Sequence, residues 1–220
     1  MNLTLFHCPL ACSRVTMNAL EEAGLTYGDR LVNILKGEQK SPEYLAIHPG
    51  GKVPALQVDD VVITENASIL LFLNDLAPEA ALLPEVATAV GRAQQVSDLV
   101  WCSGTVHPAV RQVRMPIRFT DGDPSGVQEK GREYVAAIAS QVEARTADDQ
   151  WWYGADWSIV DVYLCWLFTT AQLAGFGLDA YPNVASLLAR VQARPSYQRA
   201  LAREAEAAKE AGIELPAPKR

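Results

Sequence analysis

Cys12 and Ser13 are adjacent residues whose side chains can carry thiol or hydroxyl chemistry. They follow a predicted strand over residues 3–6 and stand where a predicted helix over residues 13–23 begins. The positive end of a helix dipole favours a thiolate at such a position. A serine hydroxyl can activate the thiol of a bound ligand by hydrogen bonding, whereas a cysteine thiolate can form a mixed disulfide with it. Three interpretations stay open: catalysis by Cys12, catalysis by Ser13, or a structural role for both.

A second candidate site begins at Val53 and Pro54, which open a short predicted strand. Pro54 is a candidate for a cis peptide bond because proline greatly reduces the preference for trans. A turn and a predicted buried strand over residues 61–63 follow, and Glu65 and Asn66 then start a helix. A helix start binds anions through its N–H groups and dipole. Asn66 could equally be a cap for its own helix.

The remaining pattern predicts two parts of different architecture. Residues 27–34 form a further strand, and Ser41 with Pro42 starts a short helix, so the first part runs β-α-β-α-β-β-α. Its predicted extent is residues 1–77, and a proline-containing linker follows at residues 78–89. Ser158 and Asp161 form a predicted capping box in an all-helical second part. The predicted helices cover residues 86–118, 127–145, 182–192 and 195–211, the second part covers residues 90–220, and a tail occupies residues 212–220.

Three motifs, taken in their order along the chain, resemble those of the cytosolic glutathione transferase superfamily. They are the tract HPGGKVPAL, then ENASIL at a helix start, and WYGADWSIVD in the helical part. The tract PLACSRV followed by ALEEAGL is most similar to the bacterial beta class. The resemblance implies an α/β N-terminal thioredoxin-like domain and an all-α C-terminal domain. It also implies a homodimeric detoxification enzyme that uses glutathione as co-substrate against a small electrophile or a disulfide.

The resemblance assigns glutathione-binding roles in the first domain. The backbone of Val53 beside Pro54 is expected to contact the cysteinyl part of glutathione. Glu65 and Asn66 are expected to hold the γ-glutamyl end, although the family usually has Ser where this chain has Asn66.

Two basic residues, Lys36 and Lys52, are available for the glycyl carboxylate. The catalytic cysteine of the beta class falls on Cys12, and Ser13 falls where some related bacterial enzymes have a catalytic serine.

One stretch of the helical domain is expected to receive the second substrate. His107 falls where the beta class has an active-site histidine, and Trp101 and Arg111 lie near it in sequence. The spacing of His107, Arg111, Arg114 and Arg118 places them on one face of a continuous helix. The arginines could instead form a solvated face or a dimer interface. Two departures from the beta-class pattern stand here, with Pro108 in place of Lys and Val100 in place of Asn.

Composition limits the other classes of function. The 220 residues carry a net charge of −7, which argues against nucleic acid as a partner. The four cysteines show no metal-ligand spacing, so no metal is expected, and reduced thiols fit a cytoplasmic protein. The longest apolar run is too short for a membrane span, and no signal peptide is predicted. A non-catalytic ligand carrier or protein-interaction module of the same fold is the alternative to an enzyme.

Overall fold

The computed structural model describes residues 1–215, in which a four-stranded sheet with its helices precedes a helical bundle. The strands are β1 (Leu3–His7), β2 (Gly28–Leu31), β3 (Ala55–Val58) and β4 (Val61–Thr64). The helices are α1 (Ser13–Glu22), α2 (Pro42–Ile47), α3 (Asn66–Leu76), α4 (Ala89–Trp101), α5 (His107–Arg114), α6 (Ser125–Arg145), α7 (Ile159–Leu173), α8 (Pro182–Gln192) and α9 (Pro195–Glu210). This is the predicted thioredoxin-like and all-α combination, and the fold prediction is confirmed.

The sheet has the order β2-β1-β3-β4, with β1 and β2 parallel and the other pairs antiparallel. β2 is shorter than the predicted strand over residues 27–34, because it pairs only with the four residues of β1 from Thr4 to His7. The predicted burial of residues 61–63 is wrong. β4 is an edge strand, and Val61 is 64% exposed.

Alternating side chains of β1 and β3 build the core of the sheet. Leu5 is paired with Leu56, and both are fully buried. Phe6 is paired with Ala55 on the opposite face, where its ring lies 5.9 Å from that of Tyr44 in α2. The sheet is therefore covered on both faces, which holds its strand ends and the following loops in place.

The predicted helix over residues 86–118 is divided into pieces. A π-helical segment, Cys102–Val106, separates α4 from α5, and α5 ends at Arg114 before the single turn Pro116–Arg118. Pro108 explains the π segment, because a proline ring clashes with the carbonyl four residues earlier in a regular α-helix. Because α5 ends at Arg114 and Arg118 lies in the separate turn that follows, Arg118 does not continue the helix face of His107, Arg111 and Arg114. Within residues 1–215, no helix is long and apolar enough to cross a membrane.

The chain divides into two compact units that differ from the predicted domain limits. The first unit contains Met1–Ala80 and the residues of α9, and the second contains Ala81–Ala193. α9 joins the first unit because it packs along α1. The predicted capping box is present at the start of α7, formed by Ser158 and Asp161. Of the tail predicted for residues 212–220, residues 216–220 lie outside the described residues.

Candidate active site

The start of α1 presents the Cys12 thiol. Cys12 is the residue immediately before the helix and is partly exposed. Its Sγ donates a hydrogen bond to the backbone carbonyl of Val53 at 3.4 Å, a contact between residues 41 positions apart. Cys12 and Val53, predicted from separate stretches of sequence, are therefore brought together.

The loop before β3 carries the predicted cis peptide bond between Val53 and Pro54, and this prediction is confirmed. The hydroxyl of Tyr44 donates to the carbonyl oxygen of Lys52 at 2.6 Å and ties the loop to α2. β3 begins directly after Pro54, so the sheet determines where the Val53 backbone lies.

Glu65 and Asn66 occupy the start of α3 in different ways. Asn66 is buried and is the first residue of α3, whose N-cap residue is Glu65. Its Oδ1 accepts a hydrogen bond from the Thr16 hydroxyl at 2.7 Å, and its Nδ2 donates to the Cys12 carbonyl at 3.1 Å. Asn66 therefore supports the loop that carries Cys12.

Glu65, by contrast, is exposed and has a positive φ of 67°. A non-glycine residue in this region is held there at an energetic cost, and such residues cluster at functional sites. Glu65 is the residue immediately before α3, and its side chain makes no capping hydrogen bond to the first N–H groups of the helix, which have no acceptor within the helix.

Ser13 has a different environment from its neighbour Cys12. Its side chain is fully buried, and its hydroxyl both accepts from the backbone N–H of Cys8 and donates to the Cys8 carbonyl, each at 3.1 Å. The Ser13 hydroxyl thereby closes the loop between β1 and α1. Burial raises the pKa of the Cys8 thiol, which keeps Cys8 protonated.

The two lysines predicted for the glycyl carboxylate, Lys36 and Lys52, are both exposed in the first unit. The backbone N–H of Lys36 donates to the carbonyl of Asn33, which shapes the loop after β2.

His48 is buried, and its Nδ1 accepts a hydrogen bond from the Gly50 N–H at 3.1 Å, which is a structural role.

In the second unit, the π segment sets the position of His107. The backbone N–H of His107 donates to the Cys102 carbonyl, which is the hydrogen bond that defines the wider turn. The imidazole is half-buried and lies edge-on to the ring of Trp166 in α7, with 4.8 Å between ring centroids. π segments of this kind are frequent at functional sites.

Trp101 and Arg111 have contrasting surroundings in the second unit. Trp101 stacks on Trp152 with 5.2 Å between ring centroids, and the Trp152 indole donates to Asp98 at 2.9 Å. Trp101 is thus held by a structural cluster. Arg111 lies on α5 one turn after His107 and is half-buried.

Two features near Cys12 were missed in the sequence. One is Thr16, which lies one helical turn after Cys12 and orients Asn66. The other is the buried pair of Arg14 in α1 with Glu204 in α9, at 2.6 Å. The turn spacing could have suggested Thr16, but no local signal joins residues 190 positions apart.

These elements define a class of protein: a thioredoxin-like unit with a cysteine at its first helix start, followed by a helical unit. Residues 8–76 match the glutathione S-transferase N-terminal domain family. The chain is 30% identical to the maleylacetoacetate isomerase of Pseudomonas aeruginosa over 204 residues, covering 91% of this chain and 95% of that protein.

Solved structures of glutathione transferases are also similar to this chain over most of its length. A beta-class glutathione S-transferase from Sphingomonas chungbukensis is 30% identical, with a TM-score of 0.80 over 91% of this chain and 98% of that chain. A glutathione transferase homologue from Sulfitobacter with bound glutathione is also 30% identical, with a TM-score of 0.80 over 97% and 99%. The chain belongs to the cytosolic glutathione S-transferase superfamily, and its assignment as a glutathione transferase-like enzyme is confirmed.

Proposed function

We propose that the protein binds glutathione in its first unit and uses Cys12 for glutathione-dependent reduction of disulfides. The observation that carries this proposal is the contrast between Cys12 and Ser13. The Cys12 thiol is partly exposed beside the Val53 carbonyl, whereas the Ser13 hydroxyl is fully buried and bonded to Cys8. A buried hydroxyl with both hydrogen bonds made internally is poorly placed to activate a ligand thiol.

Glutathione would be held along the Val53 backbone, with its γ-glutamyl end at Glu65 and its glycyl carboxylate near Lys36 or Lys52. An extended peptide can hydrogen-bond to the exposed backbone beside a strand, and a carboxylate suits exposed lysines. The structure with bound glutathione from Sulfitobacter supports glutathione as the ligand of this fold.

The reaction requires two exchange steps. The Cys12 thiolate attacks the glutathione sulfur of a mixed disulfide, the S–S bond breaks, and the other half leaves as a thiolate that takes a proton from solvent. The thiolate of a second glutathione then attacks the Cys12–glutathione disulfide and releases the Cys12 thiolate with oxidised glutathione. In the net reaction, one mixed disulfide and one free glutathione give the released thiol and one oxidised glutathione, whose second half comes from the mixed disulfide.

Variants of the two adjacent residues test this assignment. In Cys12→Ala, thiol transfer to a mixed disulfide should fall to the uncatalysed rate, and mass spectrometry should no longer find a glutathione adduct on the protein. In Ser13→Ala, thiol transfer should stay within roughly fivefold of the parent, the change that about 1 kcal/mol in the barrier produces. The loss of its hydrogen bonds to Cys8 should instead lower the free energy of unfolding by about 1–3 kcal/mol. Full thiol transfer in Cys12→Ala with a large loss in Ser13→Ala would reverse the assignment.

A second candidate function is suggested by the Pseudomonas relative, which is named a maleylacetoacetate isomerase. Isomerisation or conjugation would use the sulfur of bound glutathione rather than that of Cys12. Either activity, if native, should persist in Cys12→Ala, so the same variant separates the two candidates.

The homodimer and the cytoplasmic location are part of the proposal. Dimerisation is supported by the superfamily to which the chain belongs, and sedimentation analysis would measure it. Reduced cysteines support the location, because all four are free in the structure.

A further inference from the structure

The side chain of Asn66 joins the start of α3 to the segment that carries the Cys12 thiol. It is 4% exposed, and its Nδ2 donates a hydrogen bond to the backbone carbonyl of Cys12 at 3.1 Å. Its Oδ1 accepts a hydrogen bond from the hydroxyl of Thr16 in α1 at 2.7 Å. One buried amide therefore holds two points at the beginning of α1, which lie 54 and 50 positions away in sequence.

Hydrogen-bonding chemistry determines the orientation of this amide. A backbone carbonyl can only accept, so the nitrogen side of the Asn66 amide must face Cys12. The oxygen side then faces Thr16, whose hydroxyl must donate to it. Thr16 is fully buried, so water has no access to replace Asn66 as the partner of its hydroxyl. The bond from Thr16 thus keeps the amide nitrogen directed at Cys12.

The position of the Cys12 thiol depends on the peptide group that Asn66 holds. The Cys12 carbonyl also accepts from the Val15 N–H at 3.1 Å, which places it in the first turn of α1. The Cys12 thiol donates to the Val53 carbonyl, but a thiolate has no proton to donate. On ionisation the sulfur must therefore turn away from Val53, about a Cα–Cβ bond next to the carbonyl that Asn66 holds. The helix dipole stabilises a thiolate only close to the helix start, so reactivity depends on how firmly this segment is held.

We propose that Asn66 is a positioning residue that directs the Cys12 sulfur towards the start of α1, and that Thr16 orients Asn66 for this role. The exposed Glu65 then meets the γ-glutamyl end of glutathione, and the Asn66 side chain serves the thiol. An amide suits this task better than the usual serine of the superfamily, because its donor and acceptor are separate atoms that face separate partners. This inference rests on the proposed function, because it concerns the thiol that carries the proposed exchange.

Alkylation by iodoacetamide measures the state of the Cys12 thiol without glutathione, and mass spectrometry locates the label on Cys12. In Asn66→Ala, the pH at which alkylation is half-maximal should rise by about 0.5–1, the effect of losing one hydrogen bond. Below that pH the rate should fall roughly threefold to tenfold. Asn18→Ala is the matched control, since Asn18 is a fully buried residue of α1 whose amide has no hydrogen-bond partner among residues 1–215. Its pH profile should equal that of the parent.

Thr16 provides a second pair of variants. Thr16→Val keeps the shape of the side chain and removes the hydroxyl, so the alkylation profile should move in the same direction as in Asn66→Ala. Thr16→Ser keeps the hydroxyl and removes only a methyl group, so it should retain the parent profile. A role in packing alone would give the reverse order, because valine fills the buried site better than serine.

Binding of S-methylglutathione, whose blocked sulfur cannot react, separates positioning from ligand binding. Calorimetry should give a Kd for Asn66→Ala within about twofold of the parent, which also shows that the variant folds. Transfer of glutathione to Cys12 from its mixed disulfide with 2-mercaptoethanol should nevertheless slow roughly threefold to tenfold.

The possible results separate this inference from the function on which it rests. An unchanged alkylation profile in Asn66→Ala, or an equal change in Asn18→Ala, would overturn the positioning role. Tenfold weaker binding of S-methylglutathione in Asn66→Ala would also overturn it and would mark Asn66 as a ligand residue. A parent protein that does not bind S-methylglutathione would overturn the glutathione site, while alkylation would still decide the role of Asn66.

Discussion

At the scale of single residues, neighbours in sequence have opposite roles around the start of α1. Cys12 presents its thiol next to the Val53 carbonyl, whereas Ser13 uses its hydroxyl to close the loop from Cys8. Asn66 and Glu65 divide in the same way, because Asn66 bonds inwards to the Cys12 loop and Glu65 stays exposed. In each pair one member is at least partly exposed and the other is buried.

The exposed residue Glu65 gives a prediction about the affinity for glutathione. Glu65→Gln keeps the size of the side chain but removes the carboxylate that would pair with the ammonium of the γ-glutamyl end. Glutathione binding should weaken by about 1.5–3 kcal/mol, a factor of ten or more in Kd measured by calorimetry.

Glu79→Gln is the matched control, since Glu79 is also exposed in the first unit but lies after the end of α3. Its affinity should equal that of the parent. Equal loss in both variants would indicate a general effect of charge and would contradict the assignment of Glu65.

At the scale of elements, α9 is the partner of the helix that carries Cys12. Arg14 in the first turn of α1 pairs with Glu204, which is 1% exposed. Further along the same two helices, Glu22 pairs with Arg194 and Glu21 pairs with Arg199. The helix start at the candidate site is therefore held by residues from the far end of the chain.

Disrupting this contact should have a large effect on stability. Glu204→Gln leaves the buried guanidinium of Arg14 without its counter-charge, which should cost about 3–5 kcal/mol of unfolding free energy. Replacing both members with apolar residues, as in Arg14→Met with Glu204→Leu, should cost much less because no buried charge remains.

Urea unfolding of these variants measures the effect, with Arg199→Gln as a control. Arg199 is about half exposed, so breaking its pair with Glu21 should cost no more than about 1 kcal/mol. A double variant as unstable as Glu204→Gln would show that shape, rather than charge, determines the contact.

At the scale of the whole molecule, stability should depend on pH through the buried cap of α7. Asp161 accepts hydrogen bonds from Trp152 and Ser158, yet burial raises the pKa of its carboxyl to about 6. An acid with a raised pKa in the folded state binds its proton more tightly there than in the unfolded chain. Its contribution to stability is therefore complete at low pH and is lost as the pH rises through about 6.

The unfolded pKa is near 3.9, so the contribution of Asp161 should fall by about 2 kcal/mol between pH 4 and pH 7. Asp161→Asn removes this titration, and the difference in unfolding free energy between the parent and the variant isolates it from all other groups. Chemical unfolding at several pH values measures that difference. A difference that is constant or grows with pH would contradict the role of burial.

The sequence by itself determined the features that depend on neighbouring residues. Ser41 with Pro42 starts α2, Ser158 with Asp161 caps α7, and Pro54 follows the cis peptide bond. These signals act through side chains and backbone groups a few positions apart, so they can be recognised without the fold. The order of the motifs gave the superfamily and the first candidates for the site.

Only the tertiary structure decided how those candidates are used. The burial of Ser13, the contact of Cys12 with Val53 and the hydrogen bond from Asn66 to Cys12 depend on packing between distant segments. The exposure of β4 follows from its place at the sheet edge, and the grouping of α9 with the first unit follows from its contact with α1. Burial and long-range partners are properties of the packed molecule, because they depend on which surfaces meet and not on adjacent residues.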